Sequence, residues 1–206
     1  MNKEEAIRLI KKLDIKPGQN VWDIEKALYD HLGFSNVDCS CGASKECIIF
    51  KNEPFVIKWC MYPHQDEAIK EVQIYERAVE AGVEKFFPPT MSLCCHNGLT
   101  FIVQAKVDCS VNDCNYHTMK QYEERYKTAS PKIMAKIQKC MNKASNGKYA
   151  RRLNTTWMMA CLVLYGKRAV KDLCDFIIAE HINDLHESNI GWKDGKPIIL
   201  DFCGYR

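Results

Sequence analysis

The chain has 206 residues, of which 47% are hydrophobic and 27% are charged. This composition is typical of a folded protein with one sizeable core or two small lobes, and it excludes an intrinsically disordered chain. The formal net charge of +3 gives no general attraction to nucleic acid or to anionic membranes.

The first third of the chain predicts two helices followed by two strands. Helices are expected over 3–13 and 21–32, and the "IKPGQN" turn separates them. The first helix is charged and has no apolar segment of the kind found in a secretory signal, so a cytoplasmic location is expected. Segment 47–60 predicts two apolar strands around a Lys-Asn-Glu-Pro turn.

A strongly amphipathic helix is predicted over 65–82, where Gly82 ends the pattern. Another apolar strand is predicted over 98–108, after the break at "FFPP". The stripe expected to be buried on the helix consists of Ile69, Val72, Tyr75 and Val79.

The rest of the chain is predicted to be mainly helical. Residues 109–150 are polar and lysine-rich, which favours a linker with one or two solvated helices. Two apolar helices follow, and no apolar run reaches the roughly 20 residues that a membrane span needs. These patterns predict an α+β chain with a helical extension, a β-rich lobe and a helical lobe. The helical extension is expected over 1–32, the β-rich lobe over 33–108 and the helical lobe over 109–206. The two apolar helices of the helical lobe are expected over 151–165 and 168–180.

The sequence contains twelve cysteines, and without a signal segment reduced thiols are expected. A zinc site formed by two cysteine pairs is an alternative, although neither pair has the C-x2-C spacing of structural zinc sites. Those pairs are Cys39/Cys41 and Cys94/Cys95, the latter followed by His96. The cysteines predicted to be small buried residues are Cys60, Cys140, Cys161 and Cys174.

A hairpin is predicted near the end of the chain. Asp194-Gly195 is a strong two-residue hairpin signal, because a type I′ turn requires positive φ at both positions. If Lys193 and Lys196 flank this turn, the segments "NIGWK" and "KPIIL" are antiparallel partners.

This pairing brings hard oxygen ligands together at one end of the hairpin. Asn189 is predicted to lie opposite Leu200, directly beside Asp201, and Asp184 lies in the segment that leads into the hairpin. An amide oxygen and a carboxylate with positions open for water and phosphate suit Mg2+. The alternative is a surface hairpin whose polar residues only cap its ends.

The segment "DLHESNIGWKDGKPIILDFCGY" resembles the catalytic and metal-binding segments of the protein-kinase-like superfamily, which includes protein kinases and aminoglycoside phosphotransferases. The resemblance implies a kinase-like bilobal fold with a small β-rich N-lobe and a reduced helical C-lobe. It also implies that Asp184 is the catalytic base, and that Asn189 and Asp201 hold Mg2+ on the phosphates of ATP.

The resemblance extends to "PFVIKW", whose Lys58 matches the lysine of the family's third strand. This implies that Lys58 binds the phosphates of ATP and that Glu71, thirteen residues later, positions it. Glu67 and Glu76 lie on similar helix faces and are alternative partners for Lys58.

Two further segments stand where the family contacts ATP. Gly42 and Ser44 lie in the position of the phosphate-covering loop, although an ordinary turn explains them equally well. Backbone groups from Gln104 to Lys106 are expected to read the adenine edge. No Walker A motif is present.

The family's His-Arg-Asp motif is replaced here by Ile182-Asn183-Asp184, with His181 one place earlier. The missing arginine argues against a switch driven by phosphorylation of an activation loop. The sequence given ends at Arg206, so the expected C-lobe has no activation segment and no helical platform for an acceptor.

The leading prediction is an ATP- and Mg2+-dependent phosphotransferase acting on a hydroxyl of a protein or a small molecule. The alternative is a pseudokinase or binding module that acts by contacting a partner protein. Nucleic-acid binding through the basic stretch 132–152 is the least favoured function, because that stretch lacks interleaved aromatic residues. No membrane partner is expected.

Overall fold

The computed structural model divides the chain into two compact units, residues 1–73 with 89–106 and residues 74–88 with 107–206. The architecture is α+β, as predicted. None of the helices in the described part of the chain has the length and apolarity that crossing a membrane requires. The residues that the structure describes are 1–41, 45–61, 64, 66–107, 131–132, 135–136, 139, 155–182, 185 and 189–203.

One antiparallel sheet organises the first unit. Its strands are β1 (Val37–Cys41), β2 (Lys45–Phe50), β3 (Phe55–Cys60), β4 (Thr90–His96) and β5 (Leu99–Ala105). Their order in the sheet is β1-β2-β3-β5-β4, so β3 and β5 are central. The strands β2, β3 and β5 confirm the predicted ones, whereas β1 and β4 were not predicted.

The helices α1 (Lys3–Leu13) and α2 (Val21–Leu32) confirm the predicted bounds. A capping box begins α1, because Asn2 and Glu5 each accept a hydrogen bond from the other's backbone N–H. Both helices share a core with one face of the sheet, so segment 1–32 belongs to the first unit and is not a separate extension. This core contains Ala6, Leu9, Ile10, Ile15, Ile24, Leu28, Val37, Ile48, Phe50, Ile57, Trp59, Leu93, Leu99 and Phe101.

The helix α3 (Asp66–Glu80) lies where it was predicted but buries a different face. The predicted stripe is wrong at Ile69 and Val79, which are 43% and 51% exposed. Small residues and a glutamate replace them in contact with the protein interior, and such residues contribute little to an apolar pattern. The buried residues of α3 are Ala68, Glu71, Val72, Ile74 and Ala78.

The first turns of α3 pack against the second face of the sheet. Ala68 and Val72 form a small apolar cluster with Cys60 and Ile102. Side chains alternate along a strand, so Cys60 points to the face opposite its neighbour Trp59, which belongs to the core with α1 and α2. Glu71 is therefore carried towards the polar side chains of this second face.

In the second unit, α4 (Thr155–Ala179) is broken at Gly166, whose φ of 78° is not helical. This break confirms that two apolar helices follow one another here. A hairpin pairs β6 (Ile190–Lys193) with β7 (Lys196–Ile199), and a 3-10 turn (Glu84–Phe86) contacts β7. The second core includes Ile74, Ala78, Phe86, Phe87, Trp157, Cys161, Val170, Leu173, Cys174, Ile177, Ile182, Leu185, Trp192, Ile199 and Phe202.

The predicted burial of cysteines is confirmed for Cys60, Cys161 and Cys174, while Cys140 lies outside the described residues. Most of the predicted linker and solvated helices at 109–150 also lies outside them. The residues described in that segment are helical and exposed, and they include Lys132, Lys136 and Lys139.

A buried carboxyl group on the α1/α2 side of the sheet makes stability depend on pH. Glu46 is 3% exposed, and burial raises its pKa to about 7, against the opposing effect of a hydrogen bond with Trp59. Because the folded state holds this proton more tightly, its contribution to stability is complete below pH 4.5 and is lost as the pH rises through 7.

Glu46→Gln removes the ionisable group and should make the protein more stable than the parent at pH 8 by about 1–3 kcal/mol. The two proteins should differ little near pH 4.5. Urea denaturation at both pH values measures this difference, and the exposed Glu4→Gln variant is the control. An equal effect of Glu46→Gln at both pH values would contradict the assignment.

Candidate functional site

A buried ion pair lies between β3 and α3 in the first unit. The Nζ of Lys58 donates a hydrogen bond to Oε1 of Glu71 at 2.8 Å, and the two side chains are 12% and 0% exposed. The alternative partners lie elsewhere, because Glu67 contacts His64 at 2.9 Å and Glu76 is exposed. The structure therefore brings together the lysine and the glutamate that the sequence singled out.

Gln104 joins this pair through its side chain. Its Nε2 donates to Glu71 Oε1 at 2.8 Å and to Thr90 Oγ1 at 3.0 Å, while its Oε1 accepts from Lys58 at 3.2 Å. Gln104 is 3% exposed, so these bonds satisfy a buried amide. The sequence predicted a role for the backbone of Gln104. In the structure it is the side chain that bonds to both Lys58 and Glu71.

The backbone N–H groups expected to read adenine are already engaged within the first unit. The N–H of Ala105 donates to Pro89 O at 2.9 Å, and that of Lys106 donates to Pro54 O at 2.8 Å. The Lys106 ammonium donates to the carbonyls of Phe50 and Lys51. These two N–H groups are therefore not available to a base, which corrects that part of the prediction for Lys106.

Lys45 also contacts Glu71, and the sequence reasoning did not find it. Its Nζ lies 3.3 Å from Glu71 Oε2, and its side chain is 8% exposed. The sequence could have indicated it, because side chains alternate between the two faces of a strand, so Lys45 and Cys47 lie on the same face of β2. Cys47 pairs with Lys58 on β3, which places both lysines on that face. Lys45, Lys58, Glu71, Thr90 and Gln104 are called the lysine–glutamate cluster from here on.

The lysine–glutamate cluster fixes cationic groups in a poorly solvated place. Removing charges from water is costly, so a buried ion pair is weak evidence for a purely stabilising role. Its charges act more strongly on an anion than exposed ones do, because the local dielectric is lower. Two ammonium groups beside one carboxylate leave a net positive charge, which can attract an anion.

The C-terminal hairpin of the second unit confirms the predicted turn. Lys193 pairs with Lys196, and the turn residues Asp194 and Gly195 have φ angles of 51° and 72°. These positive values are what the Asp-Gly sequence predicts, because a type I′ turn requires them and glycine adopts them readily.

The far end of this hairpin carries the predicted oxygen ligands. The N–H of Leu200 donates to the Asn189 carbonyl at 2.8 Å, which confirms their pairing. Asn189 is buried and Asp201 is half-buried, and the Cys203 thiol contacts Asp201 Oδ1 at 3.9 Å. The predicted amide and carboxylate thus stand at the same end of the hairpin.

Phe202 anchors the residue beside it. Its ring is fully buried, and its centroid lies 5.0 Å from that of Phe87, which also contacts Phe176. These edge-to-face contacts hold the chain at Asp201 in place. A carboxylate next to such an anchor needs little reorganisation to meet a cation.

Three predicted site residues lie outside the described residues, namely Gly42, Ser44 and Asp184. Ile182 and Leu185, on either side of Asp184 in sequence, are buried in the second core. The roles of Gly42, Ser44 and Asp184 remain predictions.

Comparison with known proteins assigns no family. No protein-family model matches the chain, and no curated protein matches its sequence. The function must therefore be inferred from two sets of residues, the lysine–glutamate cluster and the C-terminal hairpin.

Proposed function

We propose that the chain is an ATP- and Mg2+-dependent phosphotransferase with a protein-kinase-like fold. It would transfer the γ-phosphate to a hydroxyl group of a protein or a small molecule. The observation that carries this proposal is the buried Lys58–Glu71 pair, which joins the third strand to the helix after it. Protein kinases require an ion pair between a third-strand lysine and a glutamate of the following helix.

The first unit would bind the phosphates of the nucleotide. Lys58 would neutralise phosphate charge, and Glu71 would hold the lysine at the position where that charge is needed. Gln104 would keep both in place, because it bonds to the lysine and to the carboxylate at once. Phosphoryl transfer needs no covalent bond to the protein, so catalysis depends mainly on such positioning and on stabilising the charge of the phosphates.

The second unit would supply the metal ligands and the base. The amide oxygen of Asn189 and the carboxylate of Asp201 are hard donors of the kind that Mg2+ accepts, so this donor set fits the metal. Bound there, Mg2+ would neutralise charge on the β- and γ-phosphates. Asp184 would orient the attacking hydroxyl group and accept its proton.

Asp184→Asn should abolish phosphoryl transfer while leaving the protein folded, because it removes the proton acceptor with almost no change in shape. The assay follows γ-labelled ATP with Mg2+, purified protein and cell lysate, and any labelled acceptor identifies the substrate class. Asp172→Asn, which makes the same change on the exposed face of α4, should behave as the parent. A loss of at least about 1,000-fold is expected, the scale of a positioned base together with orientation.

Equal transfer by the parent and by Asp184→Asn would remove this residue from the mechanism. ATP binding by the parent without any ATP consumption would contradict the phosphotransferase. That result would instead favour a module that binds nucleotide and acts by contacting a partner.

A further inference from the structure

We propose that Lys45 is a second phosphate-binding cation, which contacts the polyphosphate chain of the nucleotide together with Lys58. This inference rests on the proposed function and deepens it, because it makes the lysine–glutamate cluster a two-lysine polyphosphate site. The inference rests on the arrangement of two lysine ammonium groups, each of which contacts one oxygen of the same buried carboxylate.

The strand register places both lysines on the same face of the sheet. Lys45 lies opposite Cys60, and Lys58 lies opposite Cys47. Residues in such diagonal positions stand close enough for long side chains to converge. They converge on Glu71, where Lys58 meets Oε1 at 2.8 Å and Lys45 meets Oε2 at 3.3 Å. One extended anion reaching this carboxylate would meet both ammonium groups.

The two lysines are held differently at this carboxylate. Lys58 donates hydrogen bonds to Glu71 and Gln104, whereas the 3.3 Å contact of Lys45 is an ion pair without a hydrogen bond. Glu71 Oε2 accepts no hydrogen bond from any described residue. At this carboxylate, the contact of Lys45 is therefore weaker than that of Lys58.

Binding of four probes to four proteins tests the proposal. The probes are Mg2+–ATP, Mg2+–ADP, inorganic tripolyphosphate and adenosine, and titration calorimetry measures their dissociation constants. The proteins are the parent, Lys45→Met, Lys58→Met and the control Lys26→Met, which removes an exposed lysine of α2. Thermal unfolding of each variant shows that it is folded at the temperature of the titration.

Lys45→Met should weaken binding of ATP and tripolyphosphate by about ten- to a hundredfold and leave adenosine binding unchanged, as expected for loss of one charged contact. A fifth protein, Lys45→Arg, measured in the same way, should keep most of the parent's affinity, because it keeps the charge. Lys26→Met should bind every probe as the parent does.

Two other outcomes overturn the inference in distinguishable ways. If Lys58→Met weakens ATP binding and Lys45→Met does not, the nucleotide site stands and Lys45 serves only to balance Glu71. If the parent binds neither ATP nor tripolyphosphate, the proposed function and this inference both fail.

Discussion

Glu71→Ala should lower the free energy of unfolding by about 3–5 kcal/mol, the cost of breaking a buried ion pair. The substitution takes away the carboxylate shared by Lys45 and Lys58, and it also leaves the Gln104 amide without one acceptor. Denaturation in urea measures the loss. Nucleotide binding should weaken as well, because Lys58 is no longer held in one position.

Glu76→Ala is the matched control, since it removes an exposed glutamate from the same helix. A surface change of this kind is expected to alter stability by no more than about 0.5 kcal/mol. If Glu71→Ala and Glu76→Ala had the same effect, the ion pair would not be part of the folded core of the first unit.

A triple variant separates stability from function at the same cluster. Replacing Lys45, Lys58 and Glu71 by methionine exchanges three charged chains for apolar chains of similar length. Such exchanges are often neutral or stabilising, because the desolvation cost of the charges disappears. The triple variant should therefore regain part of the stability lost in Glu71→Ala, since the buried Gln104 amide still lacks two partners, yet bind no ATP. Such a recovery of stability without ATP binding would show that the charges of the cluster serve binding. No recovery would show that the charges stabilise the fold.

The hairpin could be predicted residue by residue because its information is local. Asp194-Gly195 fixes the turn, the turn fixes the pairing of Lys193 with Lys196, and this pairing carries through to Asn189. Each step depends on the one before it and on no distant contact. The ends of α1 and α2 were predictable for the same reason, because their caps lie in the adjoining sequence.

The strands β1 and β4 could not be predicted, because their sequences "VDCSC" and "TMSLCCH" contain few of the residues that favour strands. They are strands because β2 and β5 offer them hydrogen-bonding edges. In β4 the register also shifts between Ser92 and Cys94, which interrupts the alternation on which a sequence pattern depends.

Some residues of the candidate site could likewise be predicted from the sequence, and others could not. Lys58 and Glu71 were found through the family resemblance, but nothing local showed that Glu71 faces inward. Its burial depends on Ala68 and Val72 packing against the sheet, which turns α3 away from the stripe that its apolar residues predict. Lys45 and the side-chain role of Gln104 follow from that rotation, so they became visible only with the fold.

Asp201→Asn should weaken Mg2+-dependent ATP binding by at least about 10- to 100-fold. Even residues that only support a metal ligand have effects of this size. Asparagine keeps the shape but loses the charge that attracts the cation, and Phe202 should still anchor the chain beside it. Titrating ATP at a series of Mg2+ concentrations measures the effect. Unlike Asp184→Asn, which should spare binding and stop transfer, this variant should lose both.

Asp194→Asn provides the control on the same hairpin. It removes one exposed carboxylate and creates Asn-Gly, which forms the same type of turn. ATP binding by this variant should therefore depend on Mg2+ as it does in the parent. If Asp194→Asn and Asp201→Asn weakened binding equally, the effect would come from the general charge of the hairpin and Asp201 would not be a ligand. If neither did, the hairpin would hold no metal, and the lysine–glutamate cluster would have to bind the phosphates without it.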